Sequence, residues 1–317
     1  MDRQKGSLTT ADGTIGYTVE DGTWVRITDY GGTDTEVRVP GEIDGYPVKA
    51  VAKKTFLSRK QLRKVVLPDS VEEIGDWAFA YCSNLENVWL PKKKMKLGSR
   101  ICMECPAVRR IYAYAPGTER AESGGKQGNG SGRDVEDQQA ALLAAGAGML
   151  DTEYLMNPLE AGTGEWLCKW DAKMNAVMDE EDGEGYTKMI LCGEEDYGSS
   201  LEEFVKNKRK GKVRLAFLRL MNPIGLAEET EGKLKEYLTA HTKGCSSEES
   251  WEVLLGEHGH EQEYFEIFAD IGGVTEDNFD AILSDMPGEY AEMKAFLIRY
   301  KSEKMGEQDF FDGLSLD

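Results

Sequence analysis

Two spacings of apolar residues divide this chain. From about Thr35 to Ala115 the apolar positions recur every 23 residues. LRKVVLPDSVEEIGDWAFAYCSN, starting at Leu62, aligns without a gap on LENVWLPKKKMKLGSRICMECPA, starting at Leu85. The alignment pairs Leu62 with Leu85 and Val108, Val65 with Val88 and Ile111, Leu67 with Leu90, Pro68 with Pro91, Ile74 with Val51 and Leu97, and Phe79 with Phe56 and Cys102. A fixed period of this size is the mark of a solenoid, in which each unit buries its apolar face only against its neighbours. Within the unit, L-x-x-V-x-L alternates, and this predicts short strands near 37–39, 65–67, 88–90 and 111–113 with Val65, Leu67, Val88, Leu90 and Ile111 turned inward. The first unit holds five extra residues around Ile43-Asp44-Gly45-Tyr46-Pro47, which maps to a loop. So few coils need covered ends. Ile15–Val19 and Trp24–Ile27, joined by Glu20-Asp21-Gly22-Thr23, predict a capping hairpin with an Asp-Gly turn, and the other end is expected to rest on the C-terminal half of the chain.

That C-terminal half has the 3.6-residue period of amphipathic helices. Helices are predicted at about 134–149, 166–179, 200–208, 211–221, 227–241, 247–256, 260–270, 275–285 and 288–304. Ser200 with Glu203 and Ser246 with Glu249 read as capping boxes, and Thr275 reads as an N-cap with acids in the first turn. Stops fall at Pro223, Gly244, Gly272-Gly273 and Pro287-Gly288. Helices of this length with short joints predict stacked helical hairpins.

The run LPDSVEEIGDWAFAYCSNLENVWLP, preceded by EIDGYPVKAV, resembles the BspA-type (Treponema-type) leucine-rich repeat over roughly residues 17–115. Leu-Pro, Ile-Gly, Ala-Phe and Cys-x-Asn-Leu recur in that family's order. The resemblance implies a right-handed solenoid with one short strand per turn and a role in protein and surface recognition. More loosely, VRLAFLRLMNP, EGKLKEYLTAH, WEVLLGEH and MKAFLIRYKSEK are similar to ankyrin-like or α-solenoid tails, without the T-P-L-H signature. The fold class expected is therefore α+β: a short leucine-rich-repeat solenoid at 1–115, a Gly/Ser-rich linker at 116–133, and an all-α helical-hairpin domain at 134–317.

Charge sharpens this division. The chain of 317 residues carries 58 acidic against 38 basic residues, a net charge of −20. That balance repels phosphate backbones and disfavours a nucleic-acid binder. Residues 1–115 hold 18 basic and 15 acidic residues, whereas 116–317 hold 20 and 43, so an intramolecular contact between the two domains is expected. No stretch reaches the ~18 apolar residues of a membrane helix. Met1-Asp2-Arg3-Gln4-Lys5-Gly6 lacks the apolar core of a secretory signal, and six cysteines are too sparse for a disulfide framework. Together these point to the cytoplasm, with the cell surface as the alternative if a leader has been removed.

Candidate chemistry is thin. Cys102-Met103-Glu104-Cys105 has redox or zinc spacing, but the register puts Cys102 in the slot of Phe79 and Cys105 in that of Cys82, so both read as ladder residues. Asp179-Glu180-Glu181-Asp182-Gly183-Glu184-Gly185 matches a calcium loop in charge alone and reads as a solvated acidic turn. There is no phosphate-binding loop and no nucleophile elbow. No cofactor or metal is expected. The alternative to a non-catalytic scaffold is a metal-assisted hydrolase at His258 and His260, flanked by Glu257 and Glu261.

The best surface for recognition lies on the strands. Opposite the buried ladder, alternation places Arg38, Lys64, Val66, Asn87, Trp89, Arg110 and Tyr112. Trp, Tyr and Arg dominate binding hot spots, so Arg38, Lys64, Asn87, Trp89, Arg110 and Tyr112 are the predicted contact residues for a protein partner.

Overall fold

The 23-residue register closes into coils, and each coil feeds two sheets. In the computed structural model, residues 4–115, 134–150, 152–187 and 200–305 are described. They divide into two compact units, Met1–Lys173 and Met174–Asp317. The expected linker, 116–133, lies outside the described residues.

The strands are β1 (Gln4–Thr9), β2 (Gly13–Glu20), β3 (Trp24–Gly32), β4 (Glu36–Arg38), β5 (Glu42–Ile43), β6 (Tyr46–Val51), β7 (Lys64–Val66), β8 (Glu73–Ile74), β9 (Asn87–Pro91), β10 (Lys96–Leu97) and β11 (Arg110–Tyr114). One sheet has four strands in the order β11-β9-β7-β4, and the other runs β1-β2-β3-β6-β8-β10 with β5 beside β6. The four-stranded sheet is parallel throughout, as a solenoid of about four coils requires.

The repeat motif has a physical reason at each recurring position. Phe56 and Phe79 are fully buried and stack with centroids 5.4 Å apart, and Tyr30 extends the ladder, 5.4 Å from Phe56. The Cys82 and Cys105 thiols donate to the Phe56 and Phe79 carbonyls, each at 3.0 Å. Asn84 donates its side-chain amide to the Lys60 carbonyl at 2.7 Å. Each of these bonds ties one coil to the coil before it. The glycine of Ile-Gly is needed because a Cβ on Gly75 would stand 2.4 Å from the Lys53 nitrogen, and one on Gly98 would stand 2.3 Å from the Asp76 nitrogen.

At the start of the solenoid, β2 and β3 form the expected antiparallel hairpin, with Asp21 and Gly22 at positive φ in its turn. β1 adds a third antiparallel strand that its polar sequence does not announce. The five extra residues are a hairpin rather than an open loop. β5 pairs with β6 through Asp44 and Gly45 at φ of 54° and 80°, the signature of a two-residue turn. The Tyr17 hydroxyl donates to Asp44 and pins it to the cap.

Helix α1 (Val135–Gly148) belongs to this first unit and packs against β11. The break between units thus falls at Lys173, inside α2 (Gly164–Asp179), rather than in the Gly/Ser-rich segment. The end of the solenoid must be covered, and the small residues Ala140, Ala141, Ala144 and Ala145 let α1 approach closely while being buried themselves. Trp170 of α2 donates its indole N–H to the Leu142 carbonyl, and Trp166 donates to Leu155.

In the second unit α3 (Leu201–Met221) is one helix where two were predicted. Gly211 meets open space and costs too little to break it. It packs on α4 (Glu228–Ala240), α5 (Glu249–His258) and α6 (Gln262–Asp270), followed by α7 (Glu276–Asp285) and α8 (Ala291–Tyr300). The core joins Phe217 to Phe268, and Trp251 to Phe265 and Phe268. Ser200 and Thr275 cap α3 and α7 as predicted. Ser246 does not cap α5, which starts after Glu248.

Candidate functional site

The parallel register aligns the four-stranded sheet in rows. Glu36, Lys64, Asn87 and Arg110 form one row, Val37, Val65, Val88 and Ile111 the next, and Arg38, Val66, Trp89 and Tyr112 the third. The middle row is the buried ladder, each member at most 1% exposed. All six predicted contact residues therefore lie on the side away from that ladder, split between two rows. Glu36 completes the first row and went unpredicted, although it stands two residues before Arg38 on the same face. Its carboxylate pairs with Arg38 at 2.8 Å and Lys64 at 3.5 Å. Val66, expected on the open face, is 1% exposed, because this face is lined closely by large neighbours. Among them, Tyr114 reaches back to donate its hydroxyl to the Leu67 carbonyl at 2.6 Å.

Trp89 and Tyr112 stack, with ring centroids 4.2 Å apart and planes at 21°. The Lys64 ammonium lies 6.0 Å from the Trp89 centroid, at the edge of cation–π range. The Tyr112 hydroxyl donates to Asp137 on α1 at 2.7 Å. Burial first, and then that bond to a carboxylate, raise the Tyr112 pKa above the usual phenol value. Asp137 is placed for this by the N-terminus of α1, where Asp134 accepts its backbone N–H at 2.7 Å. Tyr112 is thus shared between the sheet face and the closing helix. Arg38 is exposed, and Lys64, Asn87, Trp89 and Arg110 are half-exposed.

The other candidates take structural positions. Burial pushes the Cys102 thiol up to about 12, and Cys105 is raised by its bond to Cys82 and by burial. Thiols held protonated are poor nucleophiles and poor metal ligands. The 257–261 cluster does not converge on one point: His258 and Glu261 pair with each other, while Glu257 and His260 turn to other partners. His258 stacks on Tyr264 at 3.6 Å and meets Glu261 through Nδ1 at 3.1 Å. Glu257 takes a two-pronged bond from Arg214 at 2.8 and 2.6 Å, and His260 lies against Tyr290. Among the described residues no group of three His, Cys, Asp or Glu side chains is arranged to hold a metal ion. The acidic turn is not simply solvated, since Asp182 receives Lys212 at 2.8 Å and Arg209 at 2.7 Å. Burial pulls the Asp182 pKa up, and the bonds from these two cations outweigh it and hold it low. No helix among the described residues is long and apolar enough to cross a membrane.

Residues 47–117 match the family described as a BspA type leucine rich repeat region (6 copies). A leucine rich repeat protein of Treponema pallidum is 32% identical over 32% of this chain and 47% of its own, with a TM-score of 0.30. A leucine rich cell surface protein of Faecalibacterium prausnitzii is 24% identical over 34% of this chain and 30% of its own, with a TM-score of 0.29. A leucine-rich repeat protein of Bacteroides capillosus is 19% identical over 34% of this chain and 98% of its own, with a TM-score of 0.27. The chain spans about half the length of the Treponema protein and under a third of the Faecalibacterium one. No curated protein matches it.

Proposed function

Since residues 47–117 are a BspA-type leucine-rich repeat region, we propose that this chain is a non-catalytic recognition scaffold that binds a protein partner through the outward face of its four-stranded sheet. The contact residues are Arg38, Lys64, Asn87, Trp89 and Arg110, with the accessible part of Tyr112. One observation carries the reading: a Trp–Tyr stack flanked by a lysine lies on the face opposite the buried ladder. Stacked rings offer large area at little cost in conformational freedom, and their polar tips supply direction.

Capture of partners from the native cell by the full chain tests this. A partner retained by the wild type should bind Trp89→Ala more weakly by about 2 kcal/mol or more, and Lys64→Glu should also weaken it. Unchanged capture by both variants would overturn the reading. Six cysteines in 317 residues are too sparse for a disulfide framework, which supports a reducing compartment. Recovery of the chain in the cytosolic fraction is expected, and its labelling on intact cells by an impermeant reagent would refute that placement.

A further inference from the structure

A second surface runs along the turns of the coils. Lys54, Trp77 and Arg100 stand one repeat apart and share left-handed backbone, with φ of 61°, 59° and 51°. Ser58, Tyr81 and Glu104 do the same at 60°, 60° and 53°. Backbone bonds hold these columns in register: Lys54 N–H donates to the Asp76 carbonyl at 3.0 Å and Trp77 N–H to the Ser99 carbonyl at 3.1 Å. The left-handed region costs a residue with a Cβ about 1–2 kcal/mol and is cheapest for Gly, then Asn or Asp. None of the six positions holds one of those three. The first column instead carries a cation, an indole and a cation.

Lys54, Trp77 and Tyr81 form one patch, and Arg100 follows Trp77 one repeat on in the same column. The Lys54 ammonium lies 5.2 Å from the Trp77 ring centroid. Tyr81 stands 6.5 Å from Trp77 with its plane at 56° and is 39% exposed. Lys53, Lys54 and Arg100 are exposed and make no ion pair among the described residues. Two carboxylates are near. Asp76 is occupied in part by the Ser99 N–H at 2.8 Å, and Glu104 belongs to the neighbouring column.

We infer that the Lys54–Trp77–Arg100 column is a docking strip for an acidic peptide segment bearing an aromatic side chain. Its carboxylates would meet the two cations of the column, and its ring would meet Trp77 and Tyr81. At the usual strand spacing the cations sit about 10 Å apart along the column, within reach of two acidic side chains flanking one ring. This surface is separate from the sheet face, so the two proposals stand or fall independently.

The probe is a rhodamine-labelled Glu-Glu-Phe-Glu-Glu peptide titrated into the full chain by fluorescence anisotropy, with Lys-Lys-Phe-Lys-Lys as the control. The acidic peptide should bind, and both Arg100→Glu and Trp77→Asn should weaken it roughly tenfold or more, while Lys64→Glu on the sheet face leaves it unchanged. Asn tolerates left-handed backbone better than Trp, but Trp77→Asn also gives up the burial of a half-buried indole, so its melting temperature is read beside its binding. A loss of binding while the variant is still folded at the assay temperature reports a lost contact, and Arg100→Glu, at an exposed position, makes the same test without loss of burial. Failure of the acidic peptide to bind, equal binding of the lysine peptide, equal loss in Lys64→Glu, or retention in both column variants would overturn the assignment. So would binding of anionic lipid vesicles with the same sensitivity to the column variants.

Discussion

Tyr112 lies on Trp89 with ring centroids 4.2 Å apart, one repeat after it and in register with it across β9 and β11. The outermost coil thus shields the largest side chain of the coil before it. A residue of the proposed contact face also packs the solenoid's last coil onto the one before it.

Trp89 and Tyr112 should therefore be energetically coupled. In a double-mutant cycle read by urea unfolding, Trp89→Ala and Tyr112→Ala should show an interaction of about 0.5–1.5 kcal/mol, the usual worth of an aromatic pair beyond its buried area. Strict additivity would mean that the rings merely lie near each other.

Glycines in this chain should divide by what surrounds them. A Cβ on Gly98 would stand 2.3 Å from the backbone nitrogen of Asp76, so Gly98→Ala should cost about 1–3 kcal/mol by forcing two coils apart. Gly232, inside α4, has nothing within 4 Å of an added Cβ, so Gly232→Ala should gain about 0.4–1 kcal/mol. Urea midpoints moving in opposite directions for the two variants are the expected result.

Alkaline pH should weaken the closure of the solenoid. Burial and the bond to Asp137 raise the Tyr112 pKa in the folded chain, whereas an unfolded tyrosine titrates near 10. The folded state holds this proton more tightly, so the contribution is complete below about pH 10 and fades as pH climbs toward the folded value. Tyr30, raised to about 12 chiefly by burial, adds to the same trend. Tyr112→Phe should fall less steeply in stability between pH 9 and about 11 than the wild type. Parallel profiles for the two would show that the Tyr112 phenol contributes nothing to the slope.

Much of the solenoid was legible because its period is covalent in the sequence. Val65 and Leu67 are both fully buried, as the alternation requires, and strands β7 and β9 fall within a residue or two of the predicted positions. The six-residue face was legible for the same reason, since alternation alone assigns sides. Three things escaped. β1 buries little and is held by its backbone ladder with β2, which leaves no apolar signature. α1 has an alanine-rich surface buried on more than one side, so periodicity predicted a helix but could not say that it would join the repeats. The sharing of Tyr112 with Asp137 depends on that docking, a contact 25 residues apart that no local pattern encodes.

The alanine-rich helix lying on β11 also bears on how such a chain can lengthen. An open terminal coil offers its edge to any strand that arrives, including one from another molecule, and would let solenoids join end to end into fibres. With α1 seated there, the β11 edge of the four-stranded sheet is occupied, and at the opposite end of the other sheet β1–β3 continue the coils as antiparallel strands. A new coil that keeps the register enters as a whole 23-residue insertion between the β1–β3 hairpins and α1. Each insertion would widen both exposed surfaces by one strand spacing while leaving the ends untouched.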